Sequence, residues 1–288
     1  MNYICFHYSY QSQIDYNYIF YIEVDNLFFI LEDDQRGKEL SQILLNNGYY
    51  VSNDFKDLKY ADYIYFGLKG IDIKNRIICN GETYYIDCKL LKKGCVVITI
   101  VYNSYLNDLC HDNGYHYYSM LKDKDYLRLN TIMTSEGLIS FMIDKIDKPL
   151  YNSNILILGY GNCGKSITKI LKAFGSIVTV AVRKAELKEE IESYGYEFIL
   201  LDSININDYD YIINTIPSVI INKDILNKPY KDIIFFDIAS YPFGIDHHEA
   251  IRLGYDSYII SSIPSSYYPK FSSKLIYEFI LKKMIHDA

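Results

Sequence analysis

From Leu27 onward, short apolar runs alternate with stretches whose apolar residues recur every three or four positions. Residues 27–31, 63–66 and 95–101 read as strands, the last apolar along nearly its whole length. Such continuous runs suit strands buried on both faces of a parallel sheet. Between them, residues 37–46 place Leu40, Ile43 and Leu44 at helical spacing, and residues 104–112 and 115–118 give a further helix and strand. In the connector that follows, Leu138, Ile139, Met142, Ile143 and Ile146 share one helical face, which Pro149 ends.

Beyond the connector the alternation is regular: strand 154–158, helix 165–174, strand 177–182, helix 185–194, then strands near 198–201, 211–214 and 233–237. This spacing predicts right-handed βαβ units. A serine-rich stretch, 261–273, reads as a mobile substrate loop before a last amphipathic helix through Leu275, Ile276, Phe279, Ile280 and Met284. The expected fold is α/β, with two Rossmann-like doubly wound domains, an interdomain cleft and a C-terminal helix. Residues 1–132 form a flavodoxin-like domain, and residues 133–288 form a dinucleotide-binding domain that includes the connector and the C-terminal helices. The first 26 residues hold six tyrosines without clean periodicity, and no element is assigned to them.

Composition narrows the function classes. The chain has 288 residues and a formal net charge of −7, so it advertises no basic surface for nucleic acid. No run approaches the ~18 apolar residues of a membrane span. No basic residue precedes Arg36, so the charged start of a secretory signal is missing and the expected compartment is the cytosol. Cys5, Cys79, Cys88, Cys95, Cys110 and Cys163 form neither a C-x-x-C pair nor a zinc-type spacing, and read as reduced thiols.

The chemistry concentrates at Gly159-Tyr160-Gly161-Asn162-Cys163-Gly164. In G-x-G-x-x-G the first glycine permits a tight turn, the second lets a pyrophosphate approach the backbone, and the third lets the helix pack on the strand. The helix N-terminus then offers unpaired N–H groups to the phosphates. The same segment also satisfies G-x-x-x-x-G-K-S, in which Lys165 would reach a nucleoside triphosphate and Ser166 would hold magnesium, with residues 233–237 as the strand carrying an aspartate. Two features favour a dinucleotide. Arg183 and Lys184 end the second strand where a Rossmann domain reads the ribose, which suits the 2′-phosphate of NADP better than NAD. Asn214, Thr215, Ile216 and Pro217 end a later strand with the small and polar residues expected beside a nicotinamide.

In order along the chain, Asp34 and Arg36, the segment 130–137, the glycine turn, the run 213–218, Asp237-Ile238-Ala239-Ser240, Pro242, Gly244, Asp246, Pro264 and Pro269-Lys270 resemble the A subunit of dipicolinate synthase, a family of endospore formation. The resemblance implies NADP-dependent oxidation of dihydrodipicolinate to dipicolinate during sporulation, in a hetero-oligomer with a flavoprotein-like B subunit. Homo-oligomerisation stays open. Departures include Glu32 and Asp33 in place of a glycine pair, Tyr241 and Phe243 around Pro242, Ser262 and Ser265 around Ile263-Pro264, and Phe271-Ser272-Ser273.

Arg36, Glu136, Asp237 and Lys270 are the candidate substrate ligands, the cations for a carboxylate and Glu136 as a cleft-closing hydrogen-bond acceptor. Each also reads as ordinary surface charge, and an aspartate after a buried strand is commonly an Asx turn. Cys163 reads as a small filler whose backbone N–H matters. His247 and His248 precede an apolar-periodic helix and match nothing in the family, so no catalytic base is named. The alternatives are another NAD(P)-dependent dehydrogenase of a small carboxylate, a P-loop NTPase, and a non-catalytic NADP-binding subunit.

Overall fold

The apolar runs become the central strands of two parallel sheets in a computed structural model of the chain, which describes Tyr3–Cys5, Tyr21–Glu23 and residues 26–226 and 232–286. Two compact units result, Met1–Leu127 with Pro269–Ala288, and Arg128–Tyr268. In the opening stretch, Tyr3–Cys5 pairs antiparallel with Tyr21–Glu23, and the remainder of residues 1–25 lies outside the described residues.

The strands of the first unit's main fold are β1 (Leu27–Ile30), β2 (Tyr50–Ser52), β3 (Tyr63–Tyr65), the hairpin β4 (Arg76–Cys79) and β5 (Glu82–Tyr85), β6 (Val96–Thr99) and β7 (His116–Ser119). Five of them form a parallel sheet in the order β2-β1-β3-β6-β7. Every residue of β1 and β6 is buried. Leu27, Phe29, Ile64 and Val97 join one core with Leu106 and Cys110 of α2 (Ser104–Asn113). Strand order reverses between β1 and β3, so this sheet has its switch point at their carboxyl ends. The helix between β1 and β2 is α1 (Gln35–Asn46), with Leu40 and Leu44 wholly buried. Burial pushes the Cys88 thiol up to about 11 and those of Cys95 and Cys110 up to about 12, so none is a reactive thiolate at neutral pH.

The second unit follows from α3 (Lys124–Lys145), within which the division between units falls. Its elements are β8 (Asn154–Leu158), α4 (Asn162–Ala173), β9 (Ile177–Val182), α5 (Lys188–Ser193), β10 (Glu197–Leu200), β11 (Tyr211–Asn214), α6 (Lys223–Leu226), β12 (Ile234–Asp237), α7 (His247–Arg252), β13 (Asp256–Ile259) and α8 (Ile263–Tyr267). The six strands are all parallel, ordered β10-β9-β8-β11-β12-β13. That is the doubly wound dinucleotide-binding order, with its switch point between β8 and β11. Ile155 and Ile157 face a core shared with Ile167 and Leu171 of α4, while Leu156 and Leu158 face another with Leu226 and Ala250. Both faces of β8 are therefore covered, which is why its sequence runs apolar without alternating.

Two expectations change. The last helix, α9 (Pro269–His286), belongs to the first unit, not to the second domain, and packs along α1. Its buried Ile276 and Ile280 need a partner row, which α1 supplies; amphipathicity alone does not say which element that will be. The serine-rich stretch is helical over most of its length instead of forming a loop: Pro264 sits in the first turn of α8, and Pro269 is the first residue of α9. Proline is favoured there because its missing N–H would be unpaired in any case.

Candidate functional site

At the carboxyl end of β8 the three glycines do three different things. Gly159 adopts φ +100°, and a β-carbon there would stand 2.6 Å from Thr215 Oγ1. Gly164 lies in the first turn of α4, where a β-carbon would stand 2.3 Å from the Gly159 carbonyl oxygen, so the helix crosses the strand end at backbone contact. Gly161 is the N-cap of α4 and has no side-chain cap; a β-carbon there would meet nothing within 4 Å. The turn thus presents an open face beside free helical amides, the shape that fits a pyrophosphate. Cys163 is half-buried, and burial raises its thiol, in keeping with a filler, while Asn162 is exposed at the helix start.

The triphosphate alternative does not fit this geometry. The helix begins at Asn162, so Cys163 and Gly164 already belong to its first turn instead of wrapping around a phosphate. Lys165 turns away: its Nζ lies 2.6 Å from Glu190 Oε1 on α5 and 4.9 Å from the Tyr160 ring centroid. Arg183 and Lys184, by contrast, follow β9 exposed, and neither forms an ion pair among the described residues.

Asn214 ends β11 and Asp237 ends β12, at the strand ends where the sequence places them, but their side chains turn inward. Both side chains are wholly buried. Asn214 Nδ2 donates to Asp237 Oδ1 at 2.8 Å and to Ile216 O at 2.9 Å, and Asn214 Oδ1 accepts from Ile216 N at 3.0 Å. Asp237 also accepts from Ala239 N at 2.9 Å and Gly244 N at 2.8 Å, and its Oδ2 lies 3.3 Å from His247 Nε2. With its acceptors already engaged by protein donors, Asp237 is not a substrate ligand. Thr215 Oγ1 donates to Leu158 O at 2.8 Å, so the turn after β11 is tied to the end of β8. Ile216 is half-buried and Pro217 exposed beyond it.

In the first unit, Arg36 is 3% exposed and its Nε donates to Asp34 Oδ2 at 2.8 Å. The same carboxyl caps α1 by accepting from Arg36 N and Gly37 N. Arg36 is therefore held by its own turn, which displaces it from the expected carboxylate contact. The loop after β3 is held by its carbonyls and leaves three backbone amides free among the described residues. The carbonyls of Gly67, Leu68, Lys69 and Ile71 accept from Ile100 N, Val101 N and the Asn103 side-chain amide at 2.7–3.1 Å. The amides of Leu68, Lys69 and Gly70 find no acceptor among the described residues, and a peptide whose C=O faces the body turns its N–H the other way. These free amides and the exposed Lys69 are donors on one loop, next to the carboxyl of Asp33. The signal for this loop was the pair Gly67 and Gly70, both at positive φ, directly after a strand.

Lys69 lines a cavity of about 570 Å³ whose walls include Leu31, Asp33, Phe66, Leu68 and Arg76. Crowding by the protein and then the charge of Asp34 push the Asp33 carboxyl up to about 6. Lys270 is exposed on α9, without an ion pair among the described residues. Glu136, on α3, is exposed and accepts from the Tyr268 hydroxyl at 3.2 Å.

An open parallel sheet of this order with an uncapped three-glycine turn at its switch point defines a nicotinamide-dinucleotide-binding domain of the dehydrogenase type. Residues 125–239 match the NAD-binding domain of the D-isomer specific 2-hydroxyacid dehydrogenases. The particular likeness is to the A subunit of dipicolinate synthase. The chain is 27% identical over 195 residues to that protein from Bacillus subtilis (strain 168), a match covering 67% of this chain and 65% of that relative's length. The fold matches the crystal structure of the A subunit of dipicolinate synthase from Bacillus halodurans with a TM-score of 0.76 at 22% identity, covering 89% of this chain and 97% of that one. The crystal structure of its counterpart from Bacillus subtilis gives 0.76 at 21% identity, covering 91% and 96%. No helix among the described residues is long and apolar enough to cross a membrane.

Proposed function

We propose that this chain is an NADP-dependent oxidoreductase that converts dihydrodipicolinate to dipicolinate, as the A subunit of a two-subunit enzyme with a flavoprotein-like B subunit. The observation that carries the reading is the open glycine turn, followed on the next strand by Arg183 and Lys184, in a chain similar to the A subunit of dipicolinate synthase. NADP, when bound, accepts a hydride. Loss of that hydride and one proton leaves the dihydropyridine ring aromatic, so the ring supplies much of the driving force and the protein chiefly has to hold it.

The residues divide that work. The amides of the α4 N-terminus hold the pyrophosphate against Gly161, and Arg183 pairs with the 2′-phosphate, with Lys184 adding charge. The loop amides of Leu68, Lys69 and Gly70 take a substrate carboxylate, and the Lys69 ammonium balances its charge. Lys270 is the further cation offered to the dicarboxylate; Glu136 contributes through Tyr268.

Two measurements test the proposal. Purified protein with the B subunit forms NADPH from NADP and dihydrodipicolinate; failure with both proteins folded overturns the substrate assignment. NADPH is bound more tightly than NADH by about 10- to 100-fold, because a charge-assisted pair is worth on the order of 1.5–3 kcal/mol. Arg183→Asp erases or inverts that preference, measured at one salt concentration because exposed phosphate contacts are screened. Equal affinities in the unmodified protein would place Arg183 outside the site.

A further inference from the structure

A chain of hydrogen-bonded polar groups, half-buried at Ser257 and His247 and wholly buried at Asp237 and Asn214, runs behind the nucleotide turn of the second unit. Its outer member is Ser257 on β13, whose Oγ lies 2.7 Å from His247 Nδ1. His247, at the start of α7, is 11% exposed in its side chain, and its other nitrogen faces Asp237 at 3.3 Å. In a neutral ring with Nε2–H donating to Asp237, Nδ1 is left to accept from the Ser257 hydroxyl. Asp237 passes the constraint to Asn214, and Asn214 grips both the N–H and the C=O of Ile216. Thr215, between them, binds Leu158 O through both its N–H, at 3.0 Å, and its hydroxyl, at 2.8 Å.

The packing leaves this chain little slack. A β-carbon on Gly244 would stand 2.3 Å from the Asn214 carboxamide, so the backbone after β12 presses directly on that side chain. Phe243 sets its ring edge-on to His247, with centroids 5.9 Å apart. The Gly244 carbonyl accepts from Ile220 N and Ile221 N, fixing the far side of the same turn. Residues 214–217 end β11, on the opposite side of the switch point from Arg183, where the nicotinamide half of a dinucleotide lies.

We infer that His247 is a positioning residue for the nicotinamide half of the cofactor site, acting through Asp237 and Asn214 on the turn 215–217. It touches neither cofactor nor substrate; it keeps Asp237 aimed so that Asn214 cannot release Ile216. The inference rests on the dinucleotide reading of the glycine turn.

The test measures the affinities of NADPH and of 2′,5′-ADP, which carries only the adenosine half, for the full chain and three variants. His247→Ala weakens NADPH by about 10-fold while 2′,5′-ADP stays within about twofold, since one buried hydrogen-bond partner is lost behind only one half of the site. His247→Gln, which keeps a donor near the Nε2 position, restores most of the NADPH affinity. Ser257→Ala removes only the outer bond and gives the same split at about twofold to threefold, so the test survives if His247→Ala does not fold. Equal weakening of both ligands, or unchanged NADPH binding in folded His247→Ala and Ser257→Ala, overturns the positioning role. An unmodified protein that binds neither ligand overturns the dinucleotide reading and the inference with it.

Discussion

The two units solve one architectural problem in opposite ways. Each is an open parallel sheet whose first βα turn sits at a switch point, and each keeps one glycine where the helix crosses the strand. A β-carbon on Gly37 would stand 2.3 Å from Leu31 O, and one on Gly164 would stand 2.3 Å from Gly159 O. In the second unit the N-cap is Gly161, which has no side chain to offer, so the α4 amides remain available. In the first unit the N-cap is Asp34, whose carboxyl consumes the amides of Arg36 and Gly37 and holds the Arg36 guanidinium as well. A helix N-terminus is an anion site only while its own chain leaves it uncapped. The first unit moves its free amides to the loop after β3 instead.

The sharpest way to break the comparison is Gly161→Val. Nothing lies within 4 Å of the added β-carbon, so the fold holds, less a small N-cap cost, while NADPH affinity falls by about 100-fold or more. A folded variant that binds normally would mean the open face is not the phosphate site. Next in size is Asp34→Ala, which removes a cap and leaves a buried guanidinium unpaired. It costs about 3 kcal/mol of stability, read from denaturant unfolding, with NADPH affinity per folded molecule unchanged.

Asp33→Asn gives a smaller effect confined to a pH window. The folded chain raises this carboxyl from 3.8 to about 6, so it favours the protonated form. The associated stability is present below 3.8 and is lost as pH rises through about 6. The asparagine variant flattens the melting temperature across that window; an unchanged slope would mean that Asp33 titrates normally. The smallest effect belongs to Lys165→Ala, whose ammonium is committed to Glu190. Dinucleotide affinity stays within about threefold. Magnesium-dependent ATP hydrolysis by the parent chain, abolished in this variant, would instead restore the P-loop reading.

How much of this was legible in the sequence depended on whether a signal was local. Strands 177–182 and 211–214 appear at the expected bounds because their runs are almost wholly apolar, and the glycine turn is readable because a turn is specified by adjacent residues. The hairpin β4–β5 was equally local and was overlooked: Asn80-Gly81, both at positive φ, is the two-residue turn that such a connection favours. Edge strand β2 is only three residues long and partly exposed, so it gives almost no apolar run. The partners of Asp237, Arg36 and His247 are set by the fold, not by sequence spacing. For Asp237 these lie as far as 23 residues away, at Asn214, and no spacing rule announces a four-donor convergence. The free amides around Lys69 leave no sequence signal beyond Gly67 and Gly70, because they depend on where the neighbouring carbonyls point.

The return of α9 to the first unit bears on how the chain is made. Residues 128–268 are inserted between the two segments that make up the first unit. During synthesis the dinucleotide-binding unit is complete once Tyr268 has left the ribosome, whereas α1 waits for the last 20 residues before its packing row is filled. Domains generally mature in the order in which they are translated. Here the order is inverted, and the nascent chain exposes the Leu40 and Leu44 face of α1 until α9 has emerged.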